Sequence, residues 1–262
     1  MSTLAARTIE ALRVEHDALT DFVTALDDDR LAGPSGASEW PVAQVLSHLG
    51  SGSEIALAGL KAALGQAEEP GDEFNHSVWD RWDAMSPAVQ RDGFVERGGV
   101  LVEALEALTD EQQASLEVPV GFAPMPLSLA AFAGMRLNEV AHHSWDVRVS
   151  ADPGAGLLDS STPVVLDHMA GDLAYLLGFL GKADRLGERV VLAIGGTGHT
   201  LVIDDGVGAG SSDDEATATF DGPVEAALRL VSGRLGPSYT PAGVSVTGNV
   251  TLDQLCEVFP GF

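Results

Sequence analysis

The sequence contains one cysteine, Cys256, so no disulfide can close within the chain. That suits a reducing cytosol, and a cytoplasmic location is the expectation. Cys256 falls at a core position of the helical pattern Leu252 to Phe259 and reads as a buried structural thiol. Basic residues are scarce: 14 Lys and Arg stand against 39 Asp and Glu, a net charge of −25. No general basic surface is available for nucleic acid, and an anionic membrane would repel such a chain. The plain consequence of the charge is solubility. Long apolar runs are also missing. The longest, Leu173 to Leu180, is far too short to span a bilayer. No basic stretch followed by an apolar run marks the N-terminus, so no signal peptide is expected. No internal repeat or low-complexity tract is present. What remains is 262 residues with 45% apolar content, enough for one large or two ordinary domains.

Chemistry-bearing residues crowd one stretch, Met135 to Val147. Glu139, His142, His143 and Asp146 fall within eight residues of a helical pattern. Glu139 and His143, at i and i+4, stand about 40° apart around the helix and roughly 6 Å along it. A carboxylate and an imidazole so placed can reach one point, as two ligands of a metal would. Glu139 and His142, at i and i+3, can also converge. The apolar stripe of Leu129, Ala133, Val140 and Val147 places His143 inward and Glu139 on the shoulder. It turns His142 outward, about 150° from the stripe. Within this helix alone, a satisfied core histidine beside a carboxylate is the plainer reading.

A third ligand alters that. Ser38 to Leu49 reads as a helix start, with Pro41 in the first turn and Val42, Val45, Leu46 and Leu49 as the inner stripe. His48 lies at the edge of that stripe. The pattern Trp-x-x-x-x-Val-Leu-x-His-Leu, followed about ninety residues later by Glu-x-x-x-His-x-x-Asp, resembles the DinB-like metal-binding bundles in their mycothiol-dependent maleylpyruvate isomerase branch. The likeness covers most of the chain.

The coarse pattern agrees. Residues 3–29 form an expected amphipathic helix whose stripe includes His16, read as a core histidine rather than a lining residue of the site. The His48 helix should run to about Leu64 and a short helix from Glu73 to Asp83. After Ser86-Pro87 another helix should run to about Leu108, its Gly93, Gly98 and Gly99 allowing close packing or mobility. Residues 118–126 hold three prolines and read as a loop, and the Glu139 helix should begin at Leu127. Four main helices fit a bundle with a longer connection between the second and third. Pocket walls are expected from residues 74–82 and 118–126.

Beyond the linker 151–156, a helix should run from Thr162 to Leu180. Strands are expected at 189–194, 200–203, 216–220 and 244–247, the first two as a hairpin, with helices at 223–232 and 252–259. The expected fold is therefore α plus α+β. A DinB-like four-helix bundle occupies residues 1–150. A small α+β domain occupies 151–262, and its Ala-Thr-Phe-Asp-Gly-Pro run resembles a sterol-carrier-like domain of the same branch.

Two histidines and a glutamate suit a divalent ion with open positions, zinc first, though Fe²⁺ uses the same ligand types. The resemblance implies His48, Glu139 and His143 as the metal ligands and mycothiol as the thiol cosubstrate. It also implies cis–trans isomerisation, or S-transfer, of a small-molecule substrate. Asp146 matches an Asp that follows the ligand motif, in a supporting role. An arginine of the second domain is implied to hold an anionic group. Arg234 is the best match, with Arg229 five residues earlier still open. A non-catalytic binding module and a metal-independent structural bundle are the competing readings. Monomer and homodimer both remain open.

Overall fold

The structure, a computed structural model, describes residues 2–121, 125–211 and 214–261. It divides into two compact units, the first ending at Asp152 and the second beginning at Pro153. Among the described residues, no single helix is long and apolar enough to cross a membrane.

The first unit opens with α1 (Leu4–Thr24), whose N-cap Thr3 hydroxyl accepts from the Ala6 amide at 3.2 Å. A one-turn helix, α2 (Asp28–Leu31), follows, so the helix expected over 3–29 breaks near residue 25. Then come α3 (Val42–Ala63), α4 (Asp72–Asp83), α5 (Pro87–Glu106), α6 (Asp110–Ser115) and α7 (Leu129–Arg148). Pro41 is the cap of α3 rather than part of its first turn. Two two-residue strands, β1 (Glu117–Val118) and β2 (Leu127–Ser128), pair antiparallel on either side of the expected loop. Residues 122–124 of that loop lie outside the described residues.

The four long helices form a closed ring of contacts: α3 packs on α5 and α7, and α1 packs on α7 and α5. Leu12 and Leu19 of α1, Leu46 and Leu49 of α3, Phe94 of α5 and Leu137 of α7 are all buried in the shared core. Each such side chain contributes roughly 1.5–3 kcal/mol. The glycines of α5 serve packing. A Cβ on Gly93 would lie 2.8 Å from the Trp82 ring, and one on Gly98 would lie 2.6 Å from the His16 ring. Gly50 of α3 is likewise occupied by the Trp82 ring. Trp82, from the expected pocket wall, is thus a buried wedge between α3 and α5.

The second unit holds α8 (Thr162–Ala170), a 3-10 turn at 174–176 and α9 (Leu177–Leu180). The two helical pieces meet at 78°, so the helix expected over 162–180 is broken at Gly171. The sheet follows: β3 (Val190–Ile194), β4 (Thr200–Ile203), β5 (Val207–Ala209), β6 (Ala218–Asp221) and β7 (Ser245–Gly248). Its order is β5-β4-β3-β6-β7. Among the described strands only β3 and β6 pair parallel, with Ala193 beside Thr219. Helices α10 (Val224–Val231) and α11 (Leu252–Val258) complete the unit, α11 through a Thr251–Gln254 capping box.

Candidate metal centre

The packing of α3 on α7 brings His48 to Glu139 and His143. His48 Nε2 lies 2.9 Å from Glu139 Oε2, and His143 Nε2 lies 3.6 Å from the same oxygen. The two imidazole centroids are 4.8 Å apart. One donor atom from each residue falls within 4.8 Å of the others, a group that can hold a metal ion. Two donors bound about 2.1 Å from a tetrahedral ion stand about 3.4 Å apart, so these spacings need only small adjustments. The donor set is also that of an open site. His48 and Glu139 keep 36% and 37% of their side-chain surface exposed, which leaves one side of the cluster to an incoming ligand.

Asp146 fixes the orientation of His143. Its carboxylate is fully buried and accepts from His143 Nδ1–H at 2.8 Å. That leaves the lone pair on Nε2, facing Glu139. The Asp146 backbone is tied down in turn: its carbonyl accepts from the Gly36 amide at 2.7 Å. A Cβ on Gly36 would lie 3.0 Å from Asp146 Oδ1 and 2.8 Å from Val149 Cγ1, so the loop before α3 needs glycine there. Trp40, at the end of that loop, has its ring 5.2 Å from His48 and 6.0 Å from His143, stacked on the latter. Glu139 feels opposing effects. Burial would raise its pKa, but the His48 hydrogen bond, the imidazoles of His143 and His48 when protonated, and the Arg136 guanidinium together hold it well below the usual carboxylate range.

One sequence expectation is corrected. His142 does not face out: it is 4% exposed, and its Nδ1–H donates to the Asn138 carbonyl at 2.9 Å. Helix α7 has neighbours on several sides, including α1, α3, α6 and the β1–β2 pair, so Arg136, His142, Trp145 and Asp146 are buried along with its apolar stripe. Pointing away from the stripe does not mean pointing to water here. His16 is a core histidine, as read: it is buried with its ring 5.4 Å from Phe94, and burial pushes its pKa down.

The two candidate arginines of the second unit, Arg229 and Arg234, differ. Arg229 is 1% exposed, and its fork closes on Glu225, with Nε and Nη2 donating at 2.7 and 3.1 Å. Arg234 is half-buried and donates to the Ser232 carbonyl at 3.0 Å. Sequence reasoning assigned no role to Trp40 or Arg136. Trp40 opens the His48 motif, and Arg136 is a lone cation one turn ahead of Glu139, so both left a signal.

A helical bundle with a two-histidine, one-glutamate cluster and an α+β unit defines the class. A family model described as the mycothiol maleylpyruvate isomerase N-terminal domain matches residues 12–148. The chain belongs to that family. Two solved structures are similar to it across 95% of this chain and 98% of theirs. One is the crystal structure of the mycothiol-dependent maleylpyruvate isomerase, 17% identical with a TM-score of 0.66. The other is a histidine-to-alanine mutant of that enzyme, 16% identical with a TM-score of 0.66. These likenesses carry the fold. No curated protein matches the sequence.

Proposed function

We propose that this chain is a divalent-metal- and mycothiol-dependent enzyme of the maleylpyruvate isomerase type, activating a small thiol for cis–trans isomerisation or S-transfer. The convergence of His48, Glu139 and His143 carries this reading, and the family membership supports it. Zinc suits two histidines and one glutamate with a position left open. Bound there, such an ion would supply Lewis acidity, favouring the thiolate form of a coordinated thiol at neutral pH.

The chain's own residues do the rest. His48 and His143 offer imidazole lone pairs and Glu139 a carboxylate held in its charged form. Asp146 keeps His143 in the tautomer that can ligate. The only cysteine is a poor nucleophile. Burial, and then the charge of Asp253, push the Cys256 thiol up, and its Sγ–H points to the Leu235 carbonyl at 3.3 Å. The nucleophile is therefore external. Its thiolate adds to the cis double bond of an enone-type acid, the former double bond rotates, and elimination of the thiolate leaves the trans acid. Arg234, the match the resemblance implies, is proposed to hold the substrate carboxylate in its fork, while the Arg229 fork closes on Glu225 within its own helix. The location proposed is the cytoplasm, with a small-molecule substrate and a thiol as partners.

Calorimetry tests the reading. Mycothiol should bind the zinc-loaded protein and release a proton near pH 7, because coordination favours the thiolate. Absence of binding at millimolar thiol would replace the enzyme with a binding module on the same fold.

A further inference from the structure

One turn further along the α3–α7 seam from the three ligands lies a second polar cluster. Arg136 stands three residues before Glu139 on α7 and is 7% exposed. Its Nη2 donates to the Leu49 carbonyl and to Ser53 Oγ, both at 3.3 Å. Ser53 is itself 3% exposed, and its hydroxyl donates to the same Leu49 carbonyl at 2.9 Å. Helix α3 is shaped to receive the guanidinium: a Cβ on Gly52 would lie 2.7 Å from Nη1. The Nε of Arg136 is buried without a hydrogen-bond partner among the described residues.

This arrangement is costly as structure alone. A buried guanidinium pays a desolvation penalty, and here both hydrogen-bond partners are neutral groups. A methionine would fill much the same volume without that penalty. Burial lowers the Arg136 pKa, and the charge opposing this is Glu139. The same Glu139 carboxylate is a proposed metal ligand, and Leu49 directly follows the ligand His48. The cation is thus fixed about one turn from the ligands on both helices, and among the described residues no carboxylate hydrogen-bonds to it.

We propose that Arg136 is a positioning residue for the centre: it holds a fixed positive charge beside Glu139, so that the open side of the site selects an anion over a neutral ligand. This rests on the metal-centre reading above. Two neutral imidazoles, one carboxylate and a divalent ion leave a net charge of about +1, and Arg136 adds another. Both a thiolate and the carboxylate of an acid substrate fit such a field.

The test uses the full chain loaded with Co²⁺, which reports ligand exchange by its visible spectrum, with azide as the anionic probe and imidazole as the neutral one. Arg136→Met should weaken azide roughly tenfold, because it removes one fixed positive charge from the field that the bound anion feels. Imidazole affinity and cobalt content should stay at the parent values. Arg136→Lys, which keeps the charge and loses the fork, should restore azide binding to within about threefold. If Arg136→Met does not fold, Arg136→Gln carries the same expectation. Equal loss of azide and imidazole would reduce Arg136 to a structural brace and overturn the proposal. So would unchanged azide binding in the neutral variant. A parent protein that takes up no cobalt would instead overturn the metal reading itself.

Discussion

Two buried arginines, one in each unit, show two uses of the same side chain. Arg229 lies inside the second unit with its fork closed on Glu225, four residues earlier on α10, and with Nη1 donating to the Tyr239 carbonyl at 2.8 Å. Glu225 also accepts from the Leu157 amide at 3.2 Å, so this pair ties the start of the unit to α10. Arg136 lies inside the first unit with a carbonyl and a hydroxyl as its partners. In one case the charge is neutralised where it sits and serves cohesion. In the other it is left to act on its surroundings, and those surroundings are the candidate metal centre. Burial alone does not separate the two roles. The charge of the hydrogen-bond partner does.

The comparison can be broken first at Arg229. Arg229→Met leaves Glu225 without its cation, and removing one partner of a buried pair costs about 3–5 kcal/mol. Urea denaturation should show that loss, while zinc bound per folded chain stays constant. A loss under 1 kcal/mol would mean that the pair is not the tie described. A second cut concerns Asp146, a carboxylate that orients a ligand. Asp146→Asn should lower zinc affinity about 10- to 100-fold, as loss of a ligand's supporting partner does. Competition with a chelator would measure it, and unchanged affinity would leave Asp146 as a packing residue only.

A smaller effect separates the core histidine from the candidate ligand histidines. Burial holds His16 below its usual pKa, so the unfolded chain binds its proton more readily. The stability tied to neutral His16 is therefore fully present above the unfolded pKa of about 6.5. It is lost as pH falls from there through the lower folded pKa. His16→Leu should flatten the part of the stability–pH profile that falls away below about pH 6.5. An unchanged slope would show that acid sensitivity arises from other groups.

The sequence made some of this legible and hid the rest for physical reasons. Glu139 and His143 could be paired because helical spacing sets which side chains share a face, whereas His48, on another helix, was joined to them only by the family resemblance, and the structure brings the three together. The exposure of His142 could not be found that way. An apolar stripe reports the outside of a helix only when the opposite face meets water, and α7 is packed on several sides. The break at Gly171 was visible as a glycine, but the apolar pattern ran across it and concealed the turn. Strand β5, Val207-Gly-Ala, is too short to show alternation, and only its pairing to β4 defines it. Arg136 was visible as a residue and not as a role, because its meaning comes from Gly52 and Ser53 on another helix.

The most direct measurement is elemental analysis of the purified chain beside two variants. The parent should carry close to one equivalent of a divalent transition metal per chain, expected to be zinc. The double variant His48→Ala with His143→Ala should carry none. His142→Ala should keep its metal, since its Nδ1 is engaged within its own helix and it stands outside the ligand cluster. A full metal load in the double variant, or loss of metal in His142→Ala alone, would contradict the centre assigned to His48, Glu139 and His143.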